Sequence, residues 1–183
     1  MGIGDLTAVF LDRDGVINQA VVRDGRPYPP SGVDDLKIVE GAADALRDLK
    51  QAGFLLIVVT NQPDISRGTR SRTTVDAIHQ ALREALPVDD FFVCPHDDSD
   101  HCDCRKPLPG LLLRAAQKYD IDIPRSFMIG DRWRDVEAGA NAGCPTVLID
   151  YGYRDKLLAT EPSVKVKSIR AAADWILAHQ LRA

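Results

Sequence analysis

The chain has 183 residues, of which 45% are hydrophobic and 27% are charged, so it is long enough to bury a full core. Its 23 Lys and Arg residues against 27 Asp and Glu give a formal net charge of −4, which argues against a nucleic-acid-binding protein. The longest apolar run, residues 54–59, is too short to span a membrane, and no signal peptide is visible at the N-terminus. We therefore expect a cytoplasmic protein with no membrane partner.

Short apolar runs alternate with amphipathic segments along the whole chain. Strands are predicted over residues 8–11, 54–59, 91–93, 126–129 and 146–149, with an edge strand over 164–166. Helices are predicted over residues 42–52, 74–86, 111–119, 134–142 and 169–179. This alternation predicts an α/β fold with a doubly wound, mainly parallel sheet. We expect one domain over residues 1–183, with loop insertions at about 18–32 and 94–104.

Polar and charged residues follow four of the predicted strands, at the point where each strand ends. They are Asp12, Asp14, Thr60, Asn61, Gln62, Arg105, Lys106, Asp131, Arg132 and Asp135. Ligands of open α/β sheets bind outside the carboxyl ends of the strands, so we expect these side chains at one edge. Asp12 and Asp14 are two residues apart in an extended segment, so their carboxylates face the same way and raise each other's pKa. Mg²⁺ relieves such repulsion, and phosphate suits a site that combines a metal with a cation.

These segments resemble the four motifs of the haloacid dehalogenase-like (HAD) phosphohydrolases. The matching sequences are Asp12-Arg-Asp-Gly-Val16, Val59-Thr-Asn-Gln62, Arg105-Lys-Pro107 and Gly130-Asp-Arg-x-x-Asp135. The resemblance implies a Rossmannoid HAD fold and hydrolysis through an aspartyl-phosphate. It implies that Asp12 is the nucleophile and that Asp14 is first the general acid and then the general base.

The same resemblance implies roles for the other motif residues. Thr60 and Lys106 would hold the phosphoryl oxygens, and Mg²⁺ would be bound by Asp12, the main-chain carbonyl of Asp14, and Asp131. Two interpretations of Asp135 stay open. It is either a partner of Lys106 or of a metal-bound water, or an acid in the first turn of a helix, where the helix dipole favours it.

Three of the four cysteines lie close together, beside two histidines. Cys94-Pro-His96 and Cys102-Asp-Cys104 supply three thiolates and one imidazole, which indicates a structural Zn²⁺ site. His101 competes with His96 as the nitrogen ligand, and we favour His96 because it pairs symmetrically with the Cys-x-Cys sequence. Cys144 is predicted to be a small buried apolar residue.

The cysteine-rich loop before the lysine motif narrows the resemblance to small HAD phosphatases without a cap domain. This group includes heptose-bisphosphate and histidinol-phosphate phosphatases. The resemblance implies removal of the 7-phosphate of D-glycero-D-manno-heptose 1,7-bisphosphate, so the expected partner is a small sugar bisphosphate and the expected state is a monomer. The residues implied near the substrate are Asn61, Gln62, Arg105 and Arg132, and the Arg105 guanidinium suits a second phosphate.

Three other functions remain as alternatives. A histidinol-phosphate phosphatase would need an acidic pocket for a cationic amine, and the arginines disfavour it. A polynucleotide 3′-phosphatase is disfavoured by the net charge of −4. A zinc-stapled interaction module on an inactive fold is disfavoured by the intact motifs. The loop over residues 18–32 does not follow the pattern we expect of heptose phosphatases, and the segment between His96 and Cys102 is short; both would border the leaving-group site.

Overall fold

A computed structural model describes residues 6–180, which form one parallel sheet covered by helices on both faces. In chain order the strands are β1 (Ala8–Leu11), β2 (Val21–Arg23), β3 (Arg26–Tyr28), β4 (Leu55–Asn61), β5 (Asp90–Cys94), β6 (Phe127–Gly130), β7 (Thr146–Ile149) and β8 (Val164–Val166). The helices are α1 (Ala42–Gln51), α2 (Arg72–Ala85), α3 (Gly110–Tyr119), α4 (Trp133–Ala142) and α5 (Ile169–Gln180). The predicted α/β fold is confirmed.

The main sheet has six strands in the order β5-β4-β1-β6-β7-β8, and every neighbouring pair is parallel. Leu11 at the end of β1 lies beside Val58 of β4 and Ile129 of β6. The three central strands therefore present their carboxyl ends at the same edge of the sheet. The residues that follow them meet there.

Two hydrophobic cores lie on the two faces of the sheet, because successive strand residues point to opposite sides. Val9 and Leu11 face a core formed with α1, α2 and α5. Ala8 and Phe10 face a second core formed with α3 and α4. All four residues are fully buried, which explains why β1 is an uninterrupted apolar run rather than an alternating one.

The insertion over residues 18–32 contains a structure that the sequence analysis missed. β2 and β3 pair antiparallel as an exposed hairpin, with Arg23 opposite Arg26. Its two-residue turn, Asp24-Gly25, has positive φ at both positions (52° and 75°), as a type I′ turn requires. Pro27 and Tyr28 of the hairpin form part of the wall of the site described below.

Most predicted boundaries agree with the structure to within one or two residues. The largest difference for a helix start is α2, which begins at Arg72 rather than at residue 74. The Ser71 side chain accepts a hydrogen bond from the Thr74 backbone N–H, so the N-cap lies before the first apolar position. Among residues 6–180, no helix has the length and apolarity needed to cross a bilayer.

Candidate active site

Three buried carboxylates meet at the carboxyl ends of β1 and β6. Asp12 follows β1, Asp131 follows β6, and Asp135 projects from the first turn of α4. One oxygen from each lies within 4.8 Å of the other two. The Lys106 ammonium donates to Asp12 Oδ1 and Asp135 Oδ1, both at 2.6 Å, and to the Val59 carbonyl at 2.8 Å. One cation therefore faces three potential anions.

The pKa values of Asp12 and Asp131 are raised, because one ammonium does not balance the charge of this carboxylate group. Burial raises the pKa of Asp12 to about 6, against the opposing effect of Lys106. Burial, followed by the charges of Asp12 and Asp135, raises the pKa of Asp131 well above its usual value. Burial alone would lower the pKa of Lys106, but Asp12 and Asp135 outweigh it and raise that pKa. The electrostatics of the site therefore favour the binding of a further positive charge.

Asp131 shows where that positive charge fits. Both of its carboxylate oxygens are buried, and neither accepts a hydrogen bond. Gly15 adopts a φ of +90°, and a Cβ at this position would overlap Asp131 Oδ2, so glycine leaves room for the carboxylate itself. Oxygen ligands without hydrogen bonds, grouped with two further carboxylates, are the donor set that a hard divalent cation such as Mg²⁺ requires. The residues present fit such an ion.

Asp14 lies in a different environment from Asp12, although the two line the same pocket. Arg13 donates to Asp14 Oδ2 at 2.9 Å, Asn18 donates to Oδ1 at 2.9 Å, and Gln62 donates to Oδ2 at 3.0 Å. Burial acts to raise the pKa of Asp14, but Arg13 and these hydrogen bonds outweigh it and lower the pKa. The expectation of two carboxyls with mutually raised pKa values was therefore wrong for Asp14, because its local donors dominate.

The residues at the carboxyl end of β4 support the catalytic groups. Thr60 is buried, and its hydroxyl accepts a hydrogen bond from Gln62 at 2.9 Å. The Asn61 side chain bonds both backbone groups of Lys106: its carbonyl accepts from the Lys106 N–H and its amide donates to the Lys106 carbonyl, each at 3.0 Å. Asn61 lines the pocket, but the structure shows it holding the lysine backbone, a contact that the sequence prediction did not include.

Asp135 satisfies both interpretations left open by the sequence. Its Oδ1 accepts from Lys106, and its Oδ2 accepts from the Arg132 backbone N–H at 3.1 Å, which caps α4. A Cβ at position 130 would overlap the Asp135 side chain, so glycine at this position leaves room for Asp135. Asp135 therefore fixes Lys106 to the start of a helix that packs on the sheet.

A cavity of about 380 Å³ opens above these groups. It is lined by every predicted catalytic and substrate residue: Asp12, Asp14, Thr60, Asn61, Gln62, Arg105, Lys106 and Arg132. Asp131 lies beneath, outside the lining. The hairpin contributes Pro27 and Tyr28 to one wall. The structure therefore brings the four motifs to a single site.

The rim of the cavity carries four arginines, each paired with a carboxylate. Arg105 donates to Asp98 Oδ1 at 2.7 Å and to the His96 carbonyl at 3.2 Å. The remaining rim pairs are Arg134 with Asp98, Arg132 with Asp155, and Arg67 with Asp97. The sequence analysis did not single out Arg67 or Arg134. For Arg134 a signal existed, since it lies two residues after Arg132 in the fourth motif.

A second donor group lies in the loop that precedes Arg105. Ligand atoms of Cys94, His96, Cys102 and Cys104 all lie within 4.8 Å of one another. The Cys94 and Cys104 Sγ atoms are 3.1 Å apart, and His96 Nδ1 is 3.4 Å from Cys104 Sγ. His101 is not part of this group. Three thiols and one imidazole without a disulfide are a donor set that fits tetrahedral Zn²⁺.

Cys144 is separate from this group and is buried beside α4, as predicted. Burial raises the pKa of its thiol to about 12, so it remains a neutral, apolar group.

Comparison with known proteins agrees with this geometry. A family model described as haloacid dehalogenase-like hydrolase matches residues 18–143. D-glycero-beta-D-manno-heptose-1,7-bisphosphate 7-phosphatase of Bordetella bronchiseptica is 38% identical over 156 residues, which cover 82% of this chain and 84% of that protein. D-glycero-D-manno-heptose-1,7-bisphosphate 7-phosphatase of Thermosynechococcus vestitus is 34% identical over 194 residues, covering 94% and 96%. The crystal structure of the B. bronchiseptica D,D-heptose bisphosphate phosphatase with magnesium and phosphate superposes with a TM-score of 0.81 at 33% identity, covering 95% and 99% of the two chains.

Proposed function

The chain belongs to the haloacid dehalogenase-like hydrolase family, and from that premise we propose that it is a Mg²⁺-dependent phosphatase of a sugar bisphosphate. The proposed reaction removes the 7-phosphate of D-glycero-D-manno-heptose 1,7-bisphosphate. The observation that carries the proposal is the hydrogen bond from Lys106 to Asp12 at the floor of the cavity. It lies beside the buried carboxylate oxygens of Asp131, which accept no hydrogen bond. The relatives named heptose-1,7-bisphosphate 7-phosphatase match most of the chain, which supports this substrate assignment.

Asp12 is the proposed nucleophile. Its carboxylate attacks phosphorus, an Asp12 oxygen–phosphorus bond forms, and the bond between phosphorus and the sugar oxygen breaks. Lys106 holds Asp12 Oδ1 and so fixes the direction of the carboxylate. Water then attacks the aspartyl-phosphate, which releases inorganic phosphate and restores Asp12.

Asp14 is the proposed proton carrier of both steps. It donates a proton to the departing sugar oxygen and later takes one from the attacking water. The lowered pKa keeps Asp14 ionised in the free protein, which is the form that accepts the proton from water. Before the first step the same carboxylate takes up a proton, from solvent or from the phosphate monoanion of the substrate, and passes it to the sugar oxygen as the bond to phosphorus breaks.

The surrounding residues offset the negative charge of the transferred phosphoryl group. The Thr60 hydroxyl and the Lys106 ammonium are proposed to bind its oxygens. Asp12, the main-chain carbonyl of Asp14, and Asp131 are proposed to hold Mg²⁺. When bound there, Mg²⁺ offsets the negative charge of the phosphoryl oxygens.

Substrate selection is proposed to rest on the cavity rim. Arg105 and Arg132 can present forked donors to a second phosphate when it replaces Asp98 or Asp155 as their partner, and Gln62 lies within the same lining. Four arginines around the opening favour an anionic substrate over one with a cationic amine, such as histidinol phosphate. Asn61 is proposed to act mainly through its hold on Lys106.

The four residues Cys94, His96, Cys102 and Cys104 are proposed to bind one structural Zn²⁺. All four positions of a tetrahedral site would be filled by protein, which leaves none for water or substrate. We propose that the chain is a single capless domain over residues 1–183. Its action as a cytoplasmic monomer stays a prediction.

The deciding experiment is a panel of phosphate-release assays with the full chain and Mg²⁺. The substrates are both anomers of heptose 1,7-bisphosphate, histidinol phosphate and a 3′-phosphorylated oligonucleotide. We expect the highest kcat/KM for a heptose bisphosphate. A higher value for histidinol phosphate or the oligonucleotide would replace the proposed substrate, and no release from any of them would refute the phosphatase assignment.

A further inference from the structure

Arg13 is a buried cation that none of the proposed catalytic steps uses. It stands between Asp12 and Asp14 in the chain, and its side chain is 0% exposed. Its Nε donates to Asp14 Oδ1 at 3.2 Å, and its NH2 group donates to Asp14 Oδ2 at 2.9 Å. The guanidinium therefore donates hydrogen bonds to both oxygens of the Asp14 carboxylate.

The other end of the guanidinium meets a histidine. His79 of α2 lies 66 residues further along the chain, and its Nε2 is 3.1 Å from the Arg13 NH1 group. The imidazole is 6% exposed and stacks on the Phe91 ring, with centroids 4.5 Å apart. This packing fixes the plane of the imidazole, so Nε2 is held in the direction of Arg13.

The contact requires a neutral imidazole. Arg13 always carries its proton, so NH1 is the donor and His79 Nε2 must be the acceptor, which assigns the ring proton to Nδ1. Burial and then the charge of Arg13 lower the pKa of His79 to about 3, which agrees with the geometry.

We propose that His79 is a positioning residue for proton transfer: its neutral imidazole orients Arg13, and Arg13 in turn orients the Asp14 carboxylate toward the cavity. The inference rests on the proposed function, in which Asp14 carries the proton. A neutral acceptor satisfies the NH1 group without drawing the positive charge away from Asp14. An acidic residue at position 79 would instead compete with Asp14 for the guanidinium.

Leaving-group dependence distinguishes this role from simple support of the fold. An alkyl alcohol leaves poorly unless Asp14 protonates it, whereas 4-nitrophenolate leaves without a proton. Misorientation of Asp14 should therefore slow an alkyl phosphate more than 4-nitrophenyl phosphate. A loss of folded protein would slow both substrates equally.

The experiment measures kcat/KM for the heptose bisphosphate and for 4-nitrophenyl phosphate, with the full chain and Mg²⁺. His79→Leu removes the acceptor and should lower the ratio of the two values by about tenfold. His79→Gln supplies a carbonyl oxygen as acceptor and should restore most of the ratio. Ile78→Val, a buried neighbour on α2, should lower the melting temperature while the ratio stays at the wild-type value.

A fourth variant covers failure of His79→Leu to fold. His79→Asp pairs with Arg13, which supports folding, but competes for its charge and should also lower the ratio. Equal slowing of both substrates by the His79 variants, or no difference between His79→Gln and His79→Leu, would overturn the inference. A wild-type chain that hydrolyses neither substrate would instead refute the proposed function.

Discussion

Replacement of Lys106 by methionine tests the electrostatics of the three-carboxylate group. Methionine keeps an unbranched side chain but removes the ammonium, which is 2% exposed and bonded to Asp12, Asp135 and the Val59 carbonyl. Removal of one partner of a buried ion pair costs about 3–5 kcal/mol. The Val59 carbonyl also loses a donor, which adds about 1 kcal/mol. At pH 7 without Mg²⁺ we expect Lys106→Met to lower the free energy of unfolding by about 4 kcal/mol, because protonation of a carboxyl offsets part of the sum.

The pH dependence gives this prediction a sign. Without Lys106, the pKa values of Asp12 and Asp131 rise further above those of the unfolded chain. Such groups destabilise the folded state at pH values above the unfolded pKa, so the loss should shrink between pH 7 and pH 5. Added Mg²⁺ should stabilise the variant more than the wild type, since the ion replaces the missing positive charge.

The assay is urea unfolding in a chelator, followed by tryptophan fluorescence. Lys118→Met is the matched control, because Lys118 is 56% exposed and pairs with Asp90 at the surface, where a salt bridge contributes less than about 1 kcal/mol. A loss of under about 1 kcal/mol for Lys106→Met at pH 7 would show that the cluster does not depend on this cation. An equal loss at pH 5 and pH 7 would show that the carboxyls are not ionised as described.

Four further outcomes follow from the site. Asp12→Asn should keep the circular dichroism spectrum while steady-state phosphate release falls below about a thousandth of wild type, and higher turnover would contradict a covalent step at Asp12. Burial raises the pKa of Asp131 well above its usual value and that of Asp12 to about 6, so Mg²⁺ must displace protons. Its affinity by calorimetry should therefore fall from pH 7 to pH 5, and a constant affinity would refute this. Cys102→Ser should lose near-stoichiometric zinc by elemental analysis and melt at a lower temperature; unchanged zinc content would exclude the site. Arg105→Ala should lower kcat/KM for a bisphosphate more than for a monophosphate, and equal losses would assign Arg105 to the reacting phosphate or to the fold.

The sheet was predictable from sequence because its strands are buried on both faces. Runs such as residues 8–11 have no polar interruption, and the residue after each run marks the edge where ligands bind. The hairpin of β2 and β3 was missed because its strands are three residues long and exposed, and the apolar pair Val21-Val22 is too short to predict a strand. Its one available signal was the Asp24-Gly25 pair, which is typical of a two-residue hairpin turn.

The strand ends and the motif spacing were enough to predict which motif residues meet at the site, but not the contacts between them. The grouping of Asp12 and Asp131 follows from parallel strands that end together. Lys106 lies beyond the cysteine-rich loop, so only its motif placed it at the site. The partnership of Arg13 with His79 depends on how α2 packs against the sheet, and sequence spacing carries no information about a contact of that range. The Asn61 amide was likewise read as a substrate contact, because a motif identifies a residue but not which of its neighbours it bonds.

The mouth of the cavity is rich in arginine yet nearly balanced in charge. Its four guanidinium groups pair with three acids: Asp97 with Arg67, Asp98 with both Arg105 and Arg134, and Asp155 with Arg132. Paired charges cancel beyond a screening length of about 8–10 Å, and the chain as a whole carries −4. We therefore expect that a dianion in solution is not drawn in from a distance and meets the cavity at the ordinary diffusive rate. Under the proposed function, discrimination would begin on contact, when a phosphate takes the place of an aspartate on a guanidinium that is already oriented. We therefore expect the cavity to select its ligand by exchange of ion-pair partners at the rim and not by long-range electrostatic attraction.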